Sequence, residues 1–222
     1  MRRLLCVAMW LCMAGTAAAG EISGELKLLS GGAALRASET QEAVIYYRSK
    51  APVVASPRAE PYVMSTRRKQ FVPHVLAVSA GESVRFPNED PILHNVFSQS
   101  PNNAFDSGQY GRGDGKLVTF EKPGLVRVYC NVHHSMYGFV LVLDTPFHTR
   151  TDAQGRFRLS GLPDGEGELV VFHDRGAPLR KAVVVEAASV PLALTLELNR
   201  RKVPAHSNKF GKPYARSNHG GY

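Results

Sequence analysis

Cysteine is nearly absent from this chain. Of its 222 residues three are cysteine, and two of these, Cys6 and Cys12, fall in the first dozen positions. Beyond them a single thiol remains, Cys130, which excludes an intrachain disulfide framework. A lone thiol in an oxidising compartment is a liability unless it is buried, paired between chains or bound to metal. Long apolar runs are missing too. The one at residues 4–13 is too short to span a bilayer comfortably and has no stop-transfer pattern behind it, so no integral membrane span is expected in the mature chain. Sustained helical periodicity is lacking as well. The basic residues (27 Lys and Arg against 19 Asp and Glu, formal charge +8) are scattered and have no interleaved aromatic platform. That arrangement argues against nucleic acid as a partner and suits acidic redox proteins or anionic membrane surfaces.

What is present is organised for export and for β-structure. Arg2 and Arg3, the apolar run and Ala17-Ala18-Ala19 form a secretory signal over residues 1–19, which predicts a periplasmic or otherwise exported protein. Short alternating runs bounded by Gly, Pro and Asn then predict an all-β fold. Strands are expected at residues 25–29, 43–47, 75–78, 83–86, 118–120, 125–129 and 138–143, in a first domain over 20–145. The Pro-, Ser- and Arg-rich stretch 49–70 is expected to be a loop or insertion in it. A second, small sandwich is expected over 146–198, followed by a basic, Gly-rich tail at 199–222 that is mobile or draped on the surface.

The chemistry converges on Cys130-Asn131-Val132-His133-His134-Ser135-Met136. By the two-residue strand repeat, Val126, Val128 and Cys130 share one face, so the thiol reaches the interior at a strand's end, with His133 and Met136 in the loop beyond. His94, in Leu93-His94-Asn95-Val96, supplies a second imidazole from elsewhere in the chain. One thiolate, two imidazoles and a weak thioether are the donor set of a mononuclear type 1 copper centre. Structural zinc would favour four firm ligands, a dinuclear copper site two bridging thiolates, and a copper oxidase further His clusters, so an enzyme is not expected. Each residue also has a plain role: Cys130 or Met136 as core filler, His94 as a loop histidine bonded to backbone. His134 is the ambiguous neighbour, expected to face solvent, while His74, His148 and His173 have no evident partner in the sequence, and His206 and His219 lie in the tail.

These residues resemble the cupredoxins. Cys130-x-x-His133-x-x-Met136 has the compact ligand spacing of amicyanin-like members, and Phe86-Pro87-Asn88-Glu89-Asp90 leading to His94-Asn95-Val96-Phe97 is similar to the family's first-histidine segment. The resemblance implies a Greek-key β-sandwich, copper as cofactor, and single-electron transfer between redox partners such as cytochromes or a dehydrogenase, with His133 as the electron exit. It also implies that Asn95 hydrogen-bonds near Cys130 and ties the two ligand segments together. Phe105-Asp106-Ser107-Gly108-Gln109-Tyr110 is similar to exported plastocyanin-like proteins labelled methylamine utilisation proteins. Asp152-x-x-Gly155-x-Phe157-x-Leu159-x-x-Leu162-Pro163-x-Gly165 resembles carboxypeptidase-regulatory-like, transthyretin-type sandwiches. The chain departs from the pattern where His134 stands in place of the usual proline. A copper chaperone or buffer, or a structural sandwich without electron transfer, is the alternative reading.

Overall fold

The computed structural model describes residues 20–53, 56, 58–186, 190–200 and 203–214; the expected signal lies outside them. Their one helix, α1 (Ala37–Thr40), is a single turn. No helix among the described residues is long and apolar enough to cross a membrane. All other regular structure is extended. In chain order the strands are β1 (Gly20–Ser30), β2 (Ala33–Ala34), β3 (Val44–Ser49), β4 (Tyr62–Val63), β5 (Ser65–Arg67), β6 (Gln70–Val72), β7 (Val75–Ser79), β8 (Glu82–Asn88) and β9 (His94–Ser98). They continue as β10 (Phe105–Tyr110), β11 (Gly113–Phe120), β12 (Gly124–Cys130), β13 (Tyr137–Leu143), β14 (His148–Arg150), β15 (Arg156–Leu162), β16 (Gly165–Phe172), β17 (Leu179–Val185) and β18 (Leu192–Glu197).

The strands form four sheets: β15-β1-β18 with β2 on β1, β14-β3-β16-β17, β10-β9-β12-β13-β7, and β11-β8-β5-β6 with β4 on β8. Three apolar layers separate them. Ile22, Leu26, Ile45, Tyr47, Leu169 and Val171 lie between the first two sheets. Val84, Phe86, Val126, Val128, Cys130 and Val140 lie between the last two. Between the middle pair lie Val44, Tyr46, Val170 and Phe172 from one sheet and Val75, Phe97, Tyr129, Phe139 and Leu141 from the other. The middle sheets are therefore covered on both faces, and consecutive side chains of β3, β13 and β16 enter opposite layers. This explains the uninterrupted apolar runs Val44-Ile45-Tyr46-Tyr47 and Leu169-Val170-Val171-Phe172, the pattern of a strand buried on both sides.

The all-β expectation holds, but a split of the chain at residue 145 does not describe the sheets. β1 pairs with β15 and β18, and β3 with β14 and β16, so residues 20–49 build the second sandwich rather than the first. Alternating sequence identifies a strand and its inward face, but not which sheet it joins. The stretch expected as a loop at 49–70 holds β4 and β5, which flank β8 in parallel pairings. Polar bonds also cross the middle layer: Arg48 donates to Asp144 at 2.9 Å, and Thr145 Oγ1 to the Tyr47 carbonyl at 2.7 Å.

Because both sandwiches share the middle layer, damage there weakens them together. Leu141→Ala is expected to cost about 2–5 kcal/mol, the usual range for a buried leucine. Urea unfolding followed by near-ultraviolet dichroism is expected to give one transition at a lower midpoint. Two separated transitions would contradict a shared core.

Candidate metal centre

Strand β12 delivers Cys130 as the two-residue repeat predicts: Val126, Val128 and Cys130 are all fully buried in one layer, while Tyr129 enters the other. On β9, Val96 lies opposite Cys130, which puts His94, two residues earlier, on the same face. The intervening loop is closed on itself. The Met136 backbone N–H donates to the His133 carbonyl at 3.0 Å, and the Cys130 N–H to the Met136 carbonyl at 3.1 Å.

His94 Nδ1 lies 3.5 Å from Cys130 Sγ and His133 Nδ1 3.7 Å from it, with the two imidazole centroids 4.9 Å apart. Bonds of about 2.0–2.3 Å to one ion at trigonal angles would put sulfur and nitrogen roughly 3.6–3.8 Å apart. The donor set fits a copper ion on both chemistry and spacing. Met136, almost fully buried, packs in the same core as Cys130. His94, Cys130, His133 and Met136 thus come together. His134 does not join them: it is exposed, and its ring packs on Tyr214 with centroids 3.5 Å apart.

Electrostatics prepare the thiol. Burial pushes Cys130 up, but a hydrogen bond with His94 and the backbone N–H groups of Asn95, His133 and Val132 outweigh it and hold the thiol below its ordinary value. Burial lowers His94, yet Cys130 and Asp90 together raise it. His133 is lowered by burial and by the charge of His94, which favours its neutral, ligating form. Asp90 was not singled out in the sequence, although an acid four residues before His94 was a legible signal. Its Oδ2 lies 2.9 Å from His94 Nε2 and accepts the Lys69 backbone N–H at 3.0 Å, while its Oδ1 accepts the Arg68 N–H at 2.6 Å. With Nε2 held by Asp90, Nδ1 is the ring nitrogen turned to the sulfur and the one that would ligate an ion there, the usual work of a carboxylate behind a ligating imidazole.

Asn95 ties the two segments through its main chain, its carbonyl accepting the Asn131 N–H at 2.9 Å. Its side chain turns instead to Asp106 and the Gly108 carbonyl, at 2.6 and 3.0 Å. Residues 203–214 of the tail drape over this end of the molecule. His206 stacks on Tyr129 with centroids 4.0 Å apart, the Lys209 N–H donates to Asn131 Oδ1 at 3.0 Å, and Lys209 Nζ pairs with Asp106 at 2.8 Å. Burial first, then the charges of Cys130 and Tyr129, push Tyr214 up to about 12. No sequence signal placed these residues there.

No family model and no curated protein match the chain. Among solved structures it is similar to a purple cupredoxin from Nitrosopumilus maritimus, at 24% identity over 37% of this chain and 99% of the other, with a TM-score of 0.34. It is also similar to a reduced amicyanin variant, at 21% identity over 45% of this chain and 98% of the other, with a TM-score of 0.36.

The buried carboxylate of Asp90 gives the metal-free protein a pH signature. Burial pushes it up, but the Lys69 and Arg68 N–H groups and His94 outweigh this and hold it below its ordinary value. Its stabilisation is therefore complete above the normal aspartate range, near pH 4, and fades as pH falls through the depressed value. Asp90→Asn is expected to cost about 1.5–3 kcal/mol at neutral pH, the scale of a charged hydrogen bond. Denaturation curves of variant and parent are expected to converge on acidification; a constant gap would refute this.

Proposed function

We propose that this chain is an exported carrier of single electrons, with one type 1 copper ion held by Cys130, His94, His133 and Met136. The observation that carries the reading is the convergence of two imidazole nitrogens, at 3.5 and 3.7 Å, on one fully buried thiol. Copper bound there supplies one-electron exchange between its Cu(I) and Cu(II) states.

The protein's own part is to keep that exchange cheap. Cys130 and His94 sit on paired strands and move little, because both strands are packed in the interior on both faces. Asp90 fixes the tautomer and tilt of His94. Met136, buried in the same core as Cys130, would offer a thioether as the fourth, weak donor. His133 is the half-buried member of the set, beside a groove lined by Pro91, Ile92, Leu93, Arg112 and Val132. Leu93 and Val132 are exposed there. A redox partner, such as a cytochrome or a dehydrogenase, seated on that groove would exchange electrons through the His133 ring. The second sandwich, built from both the first and the last strands of the described chain, braces in this reading the strands that carry the site.

Adding Cu(II) to the metal-free protein and recording its visible spectrum tests the assignment. An intense thiolate-to-copper charge-transfer band is expected, abolished in Cys130→Ser and His133→Ala and retained in His134→Ala. A colourless complex, or a band indifferent to Cys130→Ser, would overturn it. Reversible voltammetry of the coloured protein then separates an electron carrier from a chaperone or buffer.

A further inference from the structure

The two strands that carry the His94 imidazole and the Cys130 thiol end where those residues stand. His94 is the first residue of β9 and Cys130 the last of β12. Their shared ladder runs from Tyr129 opposite Phe97 to Cys130 opposite Val96 and stops there. Beyond it the segments share a main-chain bond from the Asn131 N–H to the Asn95 carbonyl, at 2.9 Å. The end of a ladder is where local opening is easiest. Both donors therefore occupy the place from which the strands would part.

Residues 203–214 close this end. The Lys209 backbone N–H donates to Asn131 Oδ1 at 3.0 Å, and its ammonium donates to Asp106 Oδ2 at 2.8 Å. The other oxygen of Asp106 accepts the Asn95 side-chain amide at 2.6 Å. With the bond between Asn131 and Asn95, these contacts form a closed ring through the residue that follows each donor. Two aromatic contacts grip the loop on either side. The His206 ring lies flat on Tyr129, with centroids 4.0 Å and planes 9° apart, and the Tyr214 ring packs on His134 at 3.5 Å. Tyr129, Asn131 and His134 are thus held in turn by His206, Lys209 and Tyr214, which flank both Cys130 and His133. A proline at position 134 would restrict its own φ; His134 is restrained from outside instead.

The gripping segment keeps its shape by itself. Asn208 Oδ1 accepts the N–H groups of Phe210 and Lys212 at 3.0 and 3.1 Å, and the Asn208 N–H donates to the Lys212 carbonyl at 2.8 Å. Gly211 turns the chain at a φ of 74°, which glycine adopts without steric cost. Gln99, just beyond β9, donates to the carbonyls of Asn208 and Lys209 at 3.3 Å each.

We propose that residues 203–214 are a clamp on the ligand loop, with Lys209 the positioning residue that ties Asn95 to Asn131 across the end of the ladder. The clamp acts on the neighbours of the ligands rather than on an ion. Its consequence for copper rests on the reading above: an ion leaves when the His94 and Cys130 segments part or the His133 loop swings away, and the clamp opposes both. The side chains of Lys209 and Asp106 are 21% and 44% exposed, so the clamp can be loosened without disturbing either core. A partly exposed ion pair and one ring contact are each modest, and together they shift a local opening about tenfold.

The test compares the full-length protein with the double variant Lys209→Ala, Tyr214→Ala. In the metal-free proteins, amide hydrogen exchange followed by NMR is expected to be about tenfold faster at Asn131 in the variant and unchanged in β13, which is paired on both sides. Lys209→Arg with Tyr214→Phe, which keeps the charge and the ring, is expected to restore the slow exchange. No acceleration at Asn131, or equal acceleration at Asn131 and in β13, would overturn the proposal. In a second arm, Cu(II)-loaded protein is mixed with EDTA. The double variant is expected to start with the same charge-transfer band and lose it about tenfold faster; an unchanged rate would overturn the proposal too. The exchange arm needs no metal, so a failure of the copper assignment and a failure of the clamp are read separately.

Discussion

The apolar layer between the two middle sheets is the constraint on which the rest of this molecule depends. A sheet flanked by water needs one apolar face; a sheet flanked by other sheets needs two, and it loses the freedom to slip, because a one-residue shift would exchange its two cores. β12 and β13 are held in this way. Cys130 is therefore fixed by what lies behind it, Tyr129 and Phe139, as much as by the residues beside it. The loop strung between β12 and β13 therefore has its ends set by the packing of the two strands alone.

The same layer relates two buried clusters of imidazole and carboxylate. The Cys130 group sits in the outer core of one sandwich, and His173 and Asp174 directly follow the strand whose Phe172 lies in the shared layer. Each follows one rule: a buried imidazole is fixed by a carboxylate on one side and so presents its other nitrogen in a defined direction. Asp90 does this for His94, and Asp174 does it for His74 and His173.

Much of the first cluster was legible in the sequence. Cys130, His133 and Met136 are close in the chain, and strand phase alone turns the thiol inward. His94 was recognisable because the segment Phe86-Pro87-Asn88-Glu89-Asp90 precedes it. What was not legible came from pairings distant in sequence. Nothing in residues 25–29 says that they lie beside 193–197 rather than beside 75–78, since alternation encodes a face and not a neighbour. Phe139, Leu141 and Leu143 resume the alternation after the ligand loop, but into the shared layer, while Val140 and Val142 face the Cys130 core. The unbroken apolar run across all five was the available clue. The partners of His74 and His173 and the path of the tail depend wholly on tertiary approach, which no local pattern records.

Strand β1 opens the described chain, and β18, its parallel neighbour, nearly ends it, while the unit carrying Cys130 is continuous between residues 62 and 143. The architecture is one sandwich inserted into another rather than two modules in series. As the chain emerges, the inner sandwich can close on local segments, whereas β1 must wait for β15 and β18 across a separation of well over a hundred residues. Closing such a loop costs more entropy and is slower than local pairing, but here the inner unit, once folded, has already drawn the two ends of that loop together. On this topology the unit that carries Cys130 would serve as the folding template for the sandwich that encloses it.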